Sequence, residues 1–378
     1  MVGDFLGMRP DQLRTLVACG AAAGIGATFN APIAGILFAA ELILGRGSVR
    51  VFSPIVVASV LATVTVQAYL GNFPAFRVPI YQIVSLWEVG LYVVLGLMAG
   101  FVGAGFTRAL YAMEELWERA PGPPYARAWV GGALVGAMAL LLPQVMGVGY
   151  DYIEQVLDWS SPDLPLFTAQ GAVLLLAIAG MKVLATSTTI GSGGSGGVFA
   201  PSLLIGASVG GAFGAGVQAV APRGLVASPG AYALVGMGCL VAATTHAPLT
   251  AILIVFELTT SYTIMLPLML GCIITTMVSM QISRDSIYTL KLTRSGSSAW
   301  PGPEAELMTT TEVREVAREP EDAVGPATPV MAVIERVIDR HHPRLCVVDR
   351  EGRLLGMIQI DDVATIMADQ AALQPLLV

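Results

Sequence analysis

The chain has 378 residues, 55% of them hydrophobic and only 12% charged, with a mean hydropathy of +0.72. A soluble domain carries about a quarter charged residues, so an ordinary globular fold is excluded and an α-helical polytopic membrane body in contact with the lipid bilayer is expected. The net charge of −7, with no basic run, excludes a nucleic-acid partner. Cys19, Cys239, Cys272 and Cys346 show no paired spacing, so neither a disulfide framework nor a metal site is expected.

In chain order, MVGDFLGMRPDQL lacks the basic region, apolar core and cleavage site of a signal peptide. Long apolar segments follow near Leu13–Leu44, Val51–Tyr69, Val89–Ala112, Trp129–Met146, Ala169–Ala185, Phe199–Val220, Ala231–Leu258 and Ile264–Ile282. Many are interrupted by Gly or Pro and several depart from the ~20 residues that span a bilayer, which predicts tilted and half-crossing helices.

The first segment holds GAAAGIGATFNAPIAGILFAAEL (Gly20–Leu42), which returns without a gap 216 positions later as GMGCLVAATTHAPLTAILIVFEL (Gly236–Leu258). Ala31-Pro32 match Ala247-Pro248, and Glu41-Leu42 match Glu257-Leu258. Each copy predicts a helix broken before Ala-Pro and restarted, because proline suits a first turn and not an interior. His246 takes the place of Asn30 and reads as a helix-start residue. Glu41 and Glu257 are expected at helix ends near water or polar backbone, since an unpaired carboxylate deep in a bilayer is costly. Duplicated broken helices mark secondary transporters and related channels, whose sites lie where the copies meet. With a second unit opening near Leu86, the same offset places about 130 residues of a first unit upstream of Met1, unless the chain is a naturally short form.

Between the copies runs GSGGSGGVFAPSLLIGASVGGAFGAG, Gly191 to Gly216. Its glycine loop enters an apolar helix, an arrangement that lets the backbone N–H groups of Gly196, Gly197, Val198 and Phe199 converge on an anion at the positive end of the helix dipole. Small residues at Gly206, Gly210 and Gly214 allow close helix packing. A flexible linker fits less well because an uninterrupted apolar run follows, and a Walker-type loop would need a lysine. From a different class, Gly193 to Gly197 fit G-x-S-x-G around Ser195, and with His246 this leaves an intramembrane serine protease open.

After Ile282, SRDSIYTLKLTRSG leaves the membrane, and Tyr288 within it reads as an interfacial anchor on composition alone. A membrane domain at 1–295, a linker at 296–305 (GSSAWPGPEA) and a soluble tail at 306–378 are expected from the shift to dense, mixed charge. In the tail, Arg344–Val348 and Leu354–Ile360 predict strands flanked by helices, Glu351-Gly352 a turn, and Asp361 or Asp362 a helix cap. His341-His342 reads as solvated surface and not a metal site.

Together these segments resemble the CLC family of chloride channels and chloride/proton antiporters over Gly3 to Ser295, while the tail is similar to a CBS motif. The resemblance implies an inverted repeat of tilted and broken helices, chloride or a similar small anion as the substrate, a homodimer, no enzymatic activity and no cofactor. It implies that the N–H groups of Val198 and Phe199 and the hydroxyl of Tyr288 hold the anion. The family's serine loop and gating glutamate align upstream of Met1, which leaves gating undefined. A proton-carrying glutamate of the antiporters aligns with Leu42, and leucine takes up no proton, so a channel-like or weakly coupled transporter is expected ahead of an antiporter or a non-conducting fragment. In the tail, Asp362 matches a nucleotide contact but Gln359 replaces the usual Ser/Thr, so the pattern for an adenine nucleotide is incomplete. A prokaryotic inner membrane with the tail in the cytoplasm is implied.

Overall fold

The computed structural model describes residues 8, 10–44, 52–71, 76, 78–79, 81, 84–158, 169–221, 225–294, 323–329, 331–333, 335 and 344–359. Two compact units emerge, Met1–Trp300 and Pro301–Val378. The expected linker lies outside the described residues, as do His341-His342, Asp361 and Asp362.

The first unit is helical. Helix α1 (Pro10–Phe29) stops at Asn30, and α2 (Pro32–Phe38) restarts with proline in its first turn and continues as a π-helical turn, Ala39–Leu44. There follow α3 (Phe52–Leu70), α4 (Trp87–Arg119), α5 (Pro124–Leu141), α6 (Tyr150–Leu157), α7 (Ala169–Gly191), α8 (Phe199–Val220), α9 (Pro229–Thr245), α10 (Pro248–Thr259), α11 (Met265–Ile282) and α12 (Thr289–Arg294). Five of the described helices are long and apolar enough to cross a membrane. With 33 residues, α4 is about 50 Å long and exceeds a ~30 Å hydrocarbon core, so it must tilt or project.

Both predicted breaks are present, with one correction. Asn30 and His246 adopt left-handed backbone, φ 53° and 58°, and His246 closes α9 by donating its N–H to Ala242 O; it ends the preceding helix and does not start the next. The helix α6 was not among the expected apolar segments, because YDYIEQVL is short and only one face of it is apolar.

The core is the pair α8 and α9. Every residue of α9 is buried, and so is α8 from Pro201 to Ala212. Their axes approach because the facing positions are glycines: a methyl group on Gly206 would lie 2.8 Å from Met237 Cα, and one on Gly210 would lie 2.9 Å from Ala233 Cα. At the start of α4, the fully buried Glu88 carboxylate accepts hydrogen bonds from Val84 N–H (2.7 Å), Ala227 N–H and Tyr232 Oη–H (3.1 Å), which satisfies a charge that burial would otherwise penalise.

The second unit contains a three-stranded sheet. Strand β1 (Ala323–Val324) pairs parallel with β2 (Arg344–Val348), and β2 pairs antiparallel with β3 (Leu354–Gln359) through Arg344 opposite Gln359. The strand β1 was not anticipated, since two residues carry no alternation. The turn forms as expected, with Gly352 at φ 79° and the Asp349 carboxylate accepting the N–H groups of Glu351 (3.0 Å) and Arg353 (2.7 Å). Val324, Val333 and Leu345 form its small apolar core.

Candidate functional site

The glycine loop does two separate jobs. Its first part terminates α7: the N–H groups of Ser192, Gly193 and Gly194 return to Thr188, Ile190 and Thr189 carbonyls, and Gly193 alone takes a left-handed φ, 91°. Its second part runs open into α8, with Ser195, Gly196 and Gly197 exposed and Val198 half-buried. From Ser195 to Ala200 no backbone N–H meets a backbone acceptor among the described residues, and Pro201 has none to offer. These donors sit at the positive end of a 22-residue helix. A side chain on Gly197 would meet nothing within 4 Å, so open space faces this position.

Aromatic rings from the first repeat copy pack on Phe199 and on Tyr288. Phe29, the last residue of α1, packs on Phe199 with ring centroids 5.0 Å apart, and Phe38, at the end of α2, meets Tyr288 edge-on at 5.8 Å. Sequence reasoning passed over both, although the repeat itself offered a signal: Phe29 and Phe38 correspond to Thr245 and Ile254, so only the first copy carries aromatic rings there.

Tyr288 is held at this place by its neighbour. The buried Ile287 donates its N–H to Thr244 O (2.8 Å) and accepts Tyr111 Oη–H through its own carbonyl (2.8 Å). Thr244 Oγ1 lies 3.3 Å from Ser202 Oγ, and Ser202 Oγ–H also reaches Val198 O (2.7 Å) in the first turn of α8. A short chain of contacts thus joins Val198 to Tyr288. Ion pairs of Lys291 with Glu114 (2.9 Å) and Arg294 with Glu115 (2.7 Å) tie α12 to α4 beyond it. The Tyr288 hydroxyl has no hydrogen-bond partner among the described residues, and the side chain is partly exposed.

No triad forms around Ser195. The His246 imidazole pairs with Ser279 (Nε2 to Oγ, 3.2 Å), and among the described residues no base contacts Ser195.

The two repeat copies interlock through their glutamates. Glu257 accepts the N–H groups of Ile33 (3.0 Å) and Ala34 (2.7 Å) at the start of α2, and Glu41 accepts those of Leu249 (3.2 Å) and Thr250 (2.7 Å), with the Thr250 hydroxyl at 2.6 Å, at the start of α10. Every member of one set lies 216 residues from its counterpart in the other. A carboxylate at a helix N-terminus is favourable both as an acceptor and against the dipole. Leu42 follows Glu41 in the π-helical turn and is half-buried.

This helix arrangement and these motifs have counterparts. Residues 1–280 match the family described as voltage gated chloride channel. The chain belongs to the CLC family. It is accordingly an integral membrane protein, and residues 313–369 match the CBS domain family. Among its CLC relatives, a putative chloride channel protein ClcB-like of Ralstonia nicotianae is 39% identical over 285 residues, 75% of this chain and 64% of that protein. The H(+)/Cl(−) exchange transporter ClcA of Vibrio parahaemolyticus is 32% identical over 302 residues, 78% of this chain and 62% of that protein. The chain thus spans less than two thirds of the length of these curated relatives. A crystal structure of a slow cyanobacterial Cl−/H+ antiporter is similar over 78% of this chain and 67% of that one, with a TM-score of 0.67 and 28% identity.

Proposed function

We propose that the chain carries chloride or a similar small anion across a bilayer, binding it between the N–H groups of Gly196, Gly197, Val198 and Phe199 and the hydroxyl of Tyr288. The observation that carries this reading is the run of backbone donors without acceptors among the described residues at the start of α8, with Tyr288, whose hydroxyl has no partner among them, linked to that turn through Ser202, Thr244 and Ile287. Chloride needs few and soft contacts, because an ion held too firmly does not leave. Backbone N–H groups and one phenol meet that need without a fixed positive charge.

Transport is channel-like or weakly coupled to protons in this reading. Leu42 supports it, since an exchanger needs an ionisable group along each part of its proton route. Obligatory chloride/proton exchange is the second reading, favoured by the exchange transporters among the relatives. The subunits pair as a homodimer in a prokaryotic inner membrane, with the CBS unit in the cytoplasm and no bound cofactor required. Chloride efflux from sealed liposomes containing the chain is the test. Efflux above that of empty vesicles is expected, and its absence in correctly folded protein overturns the reading.

A further inference from the structure

Two of the four cysteines, 33 positions apart in the sequence, meet inside the membrane unit. Cys239 lies on α9 and Cys272 on α11, and both are fully buried free thiols. Each sulfur sits over the glycine that precedes the other cysteine. A methyl group on Gly271 would lie 2.7 Å from Cys239 Sγ, one on Gly238 would lie 3.1 Å from Cys272 Sγ, and the two thiols interact directly. No local spacing announces the pair, because it forms only where α9 crosses α11.

Helices packed through ordinary side chains keep their axes about 8–10 Å apart, whereas a disulfide needs Cα atoms within about 7 Å. Gly238 and Gly271 remove the intervening bulk at this crossing, which brings the backbones together in the way a bridge requires. The same two helices are already joined further along. Ser279 Oγ–H of α11 donates to Ala243 O of α9 at 2.6 Å.

We propose that Cys239 and Cys272 are a thiol modification site, oxidised by a membrane-permeant peroxide to a disulfide that clamps α9 to α11 and slows anion transport. One thiolate attacks hydrogen peroxide, the O–O bond breaks, and a sulfenic acid and a water form. The second thiol attacks that sulfur, the S–O bond breaks as the S–S bond forms, and a second water leaves. Two thiols and one peroxide thus give one disulfide and two waters, each sulfur losing one electron and the peroxide gaining two. The oxidant is small and uncharged. Met269 and Ile273 of α11 are exposed on the outer face of the membrane unit, so only the thickness of this helix separates the pair from the surface, and peroxide enters as the helices fluctuate apart.

The effect on transport rests on the reading of the chain as an anion transporter. Thr244, near the end of α9, joins Ser202 in the first turn of α8 to Ile287 beside Tyr288. A covalent tie five residues before Thr244 holds α9, and with it both sides of the anion site, in one position.

Peroxide treatment of the chain in liposomes, followed by alkylation of the remaining thiols and peptide mapping without reductant, tests the site. A Cys239–Cys272 bridged peptide is expected, and chloride efflux should fall severalfold and return with dithiothreitol. Cys272→Ser should keep its efflux under the same treatment, while a chain carrying Cys19→Ser and Cys346→Ser should remain sensitive. The mapping uses the unaltered chain, so it decides the matter even if Cys272→Ser fails to fold. Absence of the bridged peptide overturns the proposal, and so does a bridge that leaves efflux unchanged. A reduced chain without efflux fails the transport reading instead, and the site is then decided by the bridged peptide alone.

Discussion

Tyr288 and the open half of the glycine loop define what single residues contribute. Tyr288→Phe removes one hydroxyl and keeps the edge-on contact with Phe38, so chloride affinity should fall by about 0.5–1.5 kcal/mol with thermal stability unchanged, as calorimetric titration would read. Ser195→Ala should leave that affinity unaltered, because the loop offers its backbone and no base among the described residues contacts the hydroxyl; a loss of binding would assign the serine side chain to the site. At Gly193 the backbone itself limits substitution. Gly193→Ala should cost about 1–2 kcal/mol in a thermal melt, the penalty of left-handed backbone for an L-residue, whereas Gly197→Ala should cost little, since its methyl group enters open space. The loop was legible in the sequence as a donor-rich helix start, but its glycines looked alike. Only the path of the chain separates Gly193, which ends α7, from Gly196 and Gly197, which leave room before α8.

Among the elements, the duplicated broken helices were readable from Ala-Pro and the fixed offset, while their mode of attachment was not. Hydrogen bonds that cross 208 to 224 positions leave no local pattern, so the exchange of Glu41 and Glu257 emerges only when α2 and α10 are brought side by side. Replacing either glutamate by alanine leaves two helix-start N–H groups without their acceptor and should destabilise the membrane unit by about 1–3 kcal/mol, with Glu41 also giving up the bond from the Thr250 hydroxyl. Thermal unfolding in detergent checks this, and a large effect from one alone would show the pairing to be unequal. The contact of α8 with α9 was better signalled, through Gly206 and Gly210. Gly206→Ala should cost about 1–3 kcal/mol by forcing the two backbones apart. The short α6 escaped notice because eight residues with one apolar face resemble a loop as much as a helix.

For the molecule as a whole, composition already separated a lipid-facing body from a soluble tail, and the position of Leu42 yields the prediction that divides the two transport readings. In sealed liposomes under a chloride gradient, chloride should move without proportionate proton uptake; sustained uphill proton movement would favour the exchanger and require another residue or a water chain to carry the proton. The crossed glutamates carry a consequence for how such a body arises. One copy of the motif, standing by itself, would leave its own helix start bare and its own carboxylate with nothing to cap. Two identical copies in two separate chains would complete each other with the same bonds that α2 and α10 now make within one. The interlock is therefore an arrangement that closes on itself once two copies meet, and here both halves of it lie in one chain.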